Sequence, residues 1–231
     1  MKKVVVLTGA GISAESGLRT FRDADGLWEN HRVENVATPE AWQRDPGLVL
    51  RFYNERRKDA ADAQPNAAHL ALTKLEHYFD VQIITQNVDN LHERAGSSNV
   101  LHLHGELSKV RSVSDESLII DVGDAAIEIG DLATDGQQLR PHIVWFGEMV
   151  PMIEPAIELS MKADVFVVIG TSMQVYPAAS LIQYVPLNSP KYIIDPKKID
   201  GIENNYGDLR FIQQTATQGV PELIKQLLKN S

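Results

Sequence analysis

The sequence predicts an α/β fold: a parallel sheet with helices on both faces, joined to a smaller lobe made from two insertions. Apolar runs recur at residues 4–7, 81–85, 100–103, 143–146, 165–169 and 191–194. Several are nearly continuous, as strands buried on both faces are. Helical patterns lie between or after them at 48–62, 67–77, 154–161, 178–184 and 220–228, and such alternation argues for parallel strands under helices. Two stretches break the rhythm. Residues 25–63 are charged, helical and strand-free, while 107–139 are acidic, with short alternations at 117–122 and 125–129 that predict a small hairpin.

The first strand, Val4-Val5-Val6-Leu7, runs into Thr8-Gly9-Ala10-Gly11. The spacing Gly9-x-Gly11-x-x-Ala14 suits a dinucleotide-binding turn: glycines let the backbone approach a pyrophosphate, and the next helix aims its N-terminus at the phosphates. A tight turn with no ligand has the same spacing. The helix at 67–77 follows Pro65, a residue suited to a helix start. Strand 81–85 ends in Gln86-Asn87-Val88-Asp89-Asn90. Ligands in open α/β sheets bind beyond the carboxyl ends of the strands, where these amides and carboxylates would lie. Asp89 can accept from a carboxamide such as that of nicotinamide, and Asn87 can orient a water or a ribose hydroxyl. Asp89 or Asn90 can equally cap the next helix. Strand 100–103 leads to His104, whose ring has a pKa suited to general-base work near neutrality. His102, within that strand, is read as structural. Residues 1–24, 64–106 and 140–231 are then the larger, Rossmann-like body. Residues 25–63 and 107–139 are the helical and hairpin modules of the second lobe, and a cleft between lobes is the expected ligand site.

With 231 residues, 43% of them hydrophobic, the chain can bury one sizeable core. A net charge of −9 argues against broad binding to nucleic acid. There are no cysteines, which excludes disulfides and thiolate zinc sites. No apolar run reaches the ~20 residues of a membrane span. A cytoplasmic monomer is the expectation.

Five motifs follow in order: Gly9-Ala10-Gly11-Ile12-Ser13 with Ser16-Gly17 and Phe21-Arg22; Thr85-Gln86-Asn87-Val88-Asp89-Asn90-Leu91-His92; Leu103-His104-Gly105-Glu106; Pro141-His142-Ile143-Val144-Trp145-Phe146-Gly147-Glu148; and Val168-Ile169-Gly170-Thr171-Ser172. Together they resemble the sirtuin family of NAD-dependent protein lysine deacylases over almost the whole chain, most of all its bacterial members and the branch that removes acidic acyl groups. The resemblance implies NAD contacts from Gly9, Ala10, Gly11, Ala14, Phe21, Arg22, Gln86, Asn87, Asp89, Gly170, Thr171, Ser172, Asp195 and Ala216. It implies that His104 and Asn87 are catalytic. Acyl-lysine contacts fall to Ala37, Tyr53, Arg56, Val144, Trp145, Phe146, Gly147 and Val175, with the peptide added as a strand beside residues 145–148 and 173–176. Tyr53 and Arg56, spaced i,i+3 on a helix, match the pair that receives a succinyl or malonyl carboxylate, and Ala37 matches a residue that widens the same pocket. The plain reading of that helix is a charged face with Arg56 paired to Asp59 or Asp62. The implied reaction releases nicotinamide and an O-acyl-ADP-ribose, with His104 deprotonating a ribose hydroxyl.

The chain departs from the family twice. Ser112 stands where a zinc-binding cysteine is expected, so the small lobe is expected to hold together by packing of Leu118, Ile119, Ile120, Val122, Ile127 and Ile129, without metal. Asp195 stands where the family places an asparagine near the adenine ribose, and it can still accept from ribose hydroxyls. Protein mono-ADP-ribosylation through the same cleft, or non-catalytic NAD sensing, are the competing readings. A hydride-transferring dehydrogenase is disfavoured because no second strand follows soon after the first helix.

Overall fold

The near-continuous apolar runs form the centre of a parallel sheet. The computed structural model describes residues 1–19, 27–28, 31–198 and 206–229. Its first half runs β1 (Lys3–Thr8), α1 (Gly11–Ala14), β2 (Leu27–Trp28), β3 (His31–Arg32), α2 (Val33–Val36), α3 (Pro39–Arg44), α4 (Pro46–Asp62), α5 (Ala67–Leu75), β4 (Asp80–Thr85) and α6 (Leu91–Arg94). There follow β5 (Val100–His102), β6 (Gly105–Ser112), β7 (Ile119–Asp121), β8 (Leu139–Ile143), α7 (Ile153–Met161), β9 (Val165–Ile169), a 3₁₀ helix (Ala178–Tyr184), β10 (Lys191–Ile194), β11 (Leu209–Ile212) and α8 (Ala216–Lys229).

The main sheet has the order β11-β10-β9-β1-β4-β5 and every pairing in it is parallel. Successive side chains leave a strand on opposite faces, and both faces are covered. Val4, Val6, Ile83 and Val167 pack under α5 and α8 with Leu72, Leu75, Val220 and Leu223. Val5, Leu7, Ile84, Phe166 and Val168 pack against Ala156, Leu181 and Ile182 of α7 and the 3₁₀ helix. The chain builds outward from β1 through β4 to β5, then crosses to the other side of β1 for β9, β10 and β11. That reversal opens a crevice beyond the carboxyl ends of β1 and β9.

The helices between β3 and β4 start where local chemistry tells them to. Thr38 caps α3 by accepting from the Ala41 N–H at 3.1 Å, and Asp45 caps α4 by accepting from the Leu48 N–H at 2.9 Å. Pro39 and Pro46 take the first helical positions. Asn66 and His69 form a reciprocal capping box on α5.

Several expectations are corrected. The strand expected at 143–146 forms instead at Leu139–Ile143, and it pairs antiparallel with β6 in a separate sheet of order β7-β6-β8. The apolar residues that follow Ile143 leave the strand and line the cleft described below. The hairpin expected from 117–122 and 125–129 is half right: β7 pairs with β6, but 125–129 has no strand. The stretch 25–63, expected to be strand-free, carries the short antiparallel pair β2–β3, and edge strand β11 was not foreseen, because its exposed Arg210 interrupts the apolar signal. The packing expected of the small lobe is also only partly present. Ile127 is buried with Leu50, Val110 and Leu139, and Val122 packs beside them, but Ile119, Ile120 and Ile129 face outward.

A polar clip stands where the thiolates would be. Ser112 is buried, and its Oγ donates to Asp135 Oδ2 at 2.6 Å while accepting from the Ser114 and Asp115 N–H groups. A hydroxyl committed in this way is no zinc ligand, so the residues present do not fit the family's thiolate site. Among the described residues no group of three or more His, Asp or Glu side chains is gathered for a metal ion. Asn54 and Arg57 of α4 tie the lobe down. Asn54 pairs with both backbone groups of Ile127, and Arg57 donates to the carbonyls of Leu107 and Ala125. No described helix is long and apolar enough to cross a membrane.

Candidate functional site

A cleft of about 820 Å³ lies beyond the carboxyl ends of the central strands and reaches to α4 and the segment after β8. Gly9, Ala10, Gly11 and Ala14 follow β1; Gln86, Asn87 and Asp89 follow β4; His104 follows β5; Gly170, Thr171 and Ser172 follow β9; Asp195 follows β10; and Ala216 opens α8. All of them line this cleft. So do Ala37, Tyr53, Arg56, Val144, Trp145, Phe146, Gly147 and Val175. Phe21 and Arg22 lie outside the described residues.

At one end the walls are backbone. The Gly11 N–H donates to Gly170 O at 2.8 Å. A Cβ on Gly11 would stand 2.6 Å from Gly170 Cα, and one on Gly170, whose φ is +60°, would stand 2.5 Å from the Ile12 nitrogen. The turn after β1 and the turn after β9 interlock only because both residues are glycine. Gln86 secures the arrangement from β4, donating to Thr171 Oγ1 at 3.1 Å.

Behind these turns runs a short polar relay. Asn87 Nδ2 donates to Gly9 O and to Ser13 Oγ, each at 3.2 Å, and Ser13 Oγ donates to Asp89 Oδ2 at 3.1 Å. Asp89 Oδ1 accepts from the Leu91 N–H at 3.1 Å. The capping role expected of Asp89 or Asn90 is not met: Asn90 is the N-cap of α6 and its side chain makes no cap bond, while Asp89, one residue earlier, holds only the first helical N–H and lines the cleft. Burial raises its carboxyl above the usual range, against the hydrogen bonds from Leu91 and Ser13. Ser13 was quoted as part of a motif but not singled out; only its spacing from the glycines could have marked it.

The histidines two residues apart are held in opposite states. His104 Nδ1 lies 3.0 Å from the carbonyl oxygen of Gln86. A carbonyl only accepts, so Nδ1 carries the proton and Nε2 presents a lone pair. Burial lowers the His104 pKa, which keeps the ring neutral. His102 instead donates from Nδ1 to Asn87 O at 3.0 Å and from Nε2 to Glu93 at 2.8 Å. Burial opposes charge on His102, but the Glu93 carboxylate outweighs it and the pKa rises. The neutral ring suits a base; the cationic one props up the backbone of Asn87.

At the other end the walls are side chains. Trp145 is buried with Arg140 stacked on its ring at 3.3 Å and Trp42 against it at 5.7 Å. Glu148 accepts from Arg140 Nη1 at 2.7 Å and from the Trp145 N–H at 2.7 Å. Trp145 Nε1 donates to the Tyr53 hydroxyl at 3.1 Å. That occupies an acceptor position on the phenol and leaves its own proton to donate. Burial pushes the Tyr53 pKa well up, so the phenol stays protonated. Arg56 stands one turn along α4. Ala37, at the end of α2, accepts from the Phe146 N–H at 3.0 Å and is 2% exposed. Residues 145–148 form a turn, closed by the Glu148 N–H on Trp145 O at 3.0 Å, with Gly147 at φ +91°. The cleft also takes in Arg19, Lys197 and Lys198, which sequence reasoning did not select and whose spacing is that of ordinary surface charge, and Asp59, expected only as a surface partner of Arg56.

The sequence profile described as the Sir2 family matches residues 9–177. The chain belongs to the Sir2 family. It is 54% identical over 233 residues to an NAD-dependent protein deacylase of Bacteroides thetaiotaomicron, covering 99% of this chain and 98% of that one. A Helicobacter pylori protein with the same description is 50% identical over 230 residues, with 99% of both chains covered. Among solved structures, a Sir2 homologue in complex with NAD superposes with a TM-score of 0.87 at 42% identity, covering 99% of this chain and 90% of that one. The Sir2 assignment accounts for the pairing of a six-stranded parallel sheet with a separate antiparallel one. Within that family architecture, this member's small sheet carries the Ser112–Asp135 clip.

Proposed function

We propose that this chain is an NAD-dependent protein lysine deacylase that takes acetyl and also succinyl or malonyl groups. The observation that carries the reading is His104: a neutral ring with its Nδ1 proton fixed on a backbone carbonyl and its Nε2 free to accept, at the centre of a cleft with a glycine end and an aromatic end. The names of the Sir2 relatives support NAD as the cosubstrate, and the interlocked glycine turns supply the close backbone approach that a pyrophosphate needs.

In this reading Gly9, Ala10, Gly11, Ala14, Gly170, Thr171 and Ser172 hold the phosphates and nearby sugar, with Phe21 and Arg22 joining from the segment after α1. Asp195 and Ala216 lie at the adenosine side. Asp89 receives the carboxamide, and Asn87 orients a ribose hydroxyl or water. When bound, NAD supplies an electrophilic ribose carbon with nicotinamide as its leaving group. His104 Nε2 takes the proton of a ribose hydroxyl. Trp145 and Phe146 flank the lysine chain, while Val144, Gly147 and Val175 offer backbone to the peptide. Tyr53 donates its hydroxyl proton, and Arg56 its charge, to the acyl carboxylate over the small Ala37. The division into a Rossmann-like body (1–24, 64–106, 140–231) and two modules (25–63 and 107–139) is the companion proposal.

The test is a set of acetyl-, malonyl- and succinyl-lysine peptides of one sequence, incubated with NAD and read by mass. Release of each acyl group together with nicotinamide is expected. His104→Ala should lower turnover by at least about 10²-fold while the melting temperature stays put. Full turnover in that variant overturns the assignment, and label from NAD retained on the protein or peptide would favour ADP-ribosyl transfer.

A further inference from the structure

The cation at the acyl end already has a carboxylate of its own. Arg56 Nη2 lies 2.7 Å from Asp59 Oδ2, three residues along α4, and both residues line the cleft. The pair does little for the helix. An i,i+3 ion pair with one partner largely in solvent contributes only weakly, and α4 is held by its buried Val49, Leu50, Phe52, Tyr53, Arg57 and Ala60. Its consequence lies in the cleft. The Arg56 side chain is 12% exposed and that of Asp59 53%, so the guanidinium is largely enclosed while the carboxylate stands at its solvent side. An acyl carboxylate that reaches Arg56 meets a charge that is partly neutralised and a like charge beside it. An acetyl group carries no charge and is indifferent to both.

We propose that Asp59 is a specificity-determining residue that holds back acidic acyl groups, so that the same pocket serves neutral and acidic acyl-lysines. The proposal rests on the reading of Tyr53 and Arg56 as the acyl end. Asp59→Asn keeps the size and removes the charge. With saturating NAD and peptides differing only in the acyl group, the KM for succinyl- and malonyl-lysine should fall about three- to tenfold. The kcat for all three substrates and the KM for acetyl-lysine should stay within about twofold. Added salt should narrow the difference between the variant and the parent, because the interaction is screened. An unchanged KM for acidic acyl groups overturns the proposal, and so does a raised one, which would mean that Asp59 serves to orient Arg56. Arg56→Met separates the two levels. If it leaves the ratio of acidic to acetyl turnover untouched, the acyl-end reading fails and takes this proposal with it. If it lowers that ratio and Asp59→Asn leaves it alone, the receptor stands and only the role of Asp59 falls.

Discussion

The glycine end of the cleft is set by backbone against backbone, and the tryptophan end by side chain against side chain. At the first, Gly11 and Gly170 approach so closely that neither tolerates a methyl group. At the second, Tyr53, Trp145, Arg140 and Glu148 hold one another through hydrogen bonds and a stacked guanidinium. A cosubstrate common to a whole family suits the first kind of wall, which has no side chain to vary. An acyl group that differs between substrates suits the second, where one residue can change without moving the chain. The same contrast separates the two larger sheets: the parallel one is closed by apolar packing on both faces, the three-stranded antiparallel one by the Ser112–Asp135 clip and by Asn54 and Arg57.

Three measurements can break or sharpen this contrast. The largest effect is expected at the interlocked turns. Gly11→Ala should cost about 3 kcal/mol of stability and abolish NAD binding, seen by urea unfolding and calorimetric titration. A variant as stable as the parent would mean that the turns are not rigid.

Acidification comes next and acts behind the parallel sheet. His69 is fully buried, and burial lowers its pKa to about 4. Its unfolded value is near 6.5, so the unfolded chain binds the proton first as the pH falls. The stabilisation is complete above pH ~6.5 and is lost progressively towards pH ~4, about 2 kcal/mol of it by pH ~5. His92, whose ring lies 4.9 Å from that of His69, is lowered for the same reason and adds to the loss. Urea midpoints at pH 7 and pH 5 measure the difference, and His69→Gln should flatten it.

The smallest effect is expected in the clip. Ser112→Ala should cost about 1 kcal/mol, with faster hydrogen exchange confined to β6, β7 and β8 and none at the glycine end. Exchange that spread into the parallel sheet would show the two sheets to be one cooperative unit.

What could be read from sequence follows the same line. Strands β1, β4, β9 and β10 were legible because burial on both faces leaves a nearly continuous apolar run, broken in β4 only by the half-buried Gln82. Strand β8 was not, because it contains Arg140, Pro141 and His142, and the burial of Arg140 depends on Glu148, eight residues later, and on the Trp145 ring. The clip joins Ser112 to Asp135 across 23 residues of mostly polar chain, and no local pattern announces such a pair. The described residues to which the motifs and the resemblance pointed all line the cleft. What the sequence could not convey was protonation. His102 and His104 look alike on paper, and only the carbonyls and carboxylate around them set one ring charged and the other neutral. For Arg56, the pocket reading and the paired reading had been set against each other. The structure shows the pair with Asp59 and sets Arg56 in the wall of the cleft.

Trp28, Trp42 and Trp145 are the chain's three tryptophans, and all of them gather around Phe52, Tyr53 and Trp145 itself. The parallel sheet and its helices contain none. Tryptophan fluorescence, excited apart from the tyrosines, therefore originates entirely from the aromatic end of the cleft, so the unlabelled protein carries its own optical reporter of whatever occupies that end.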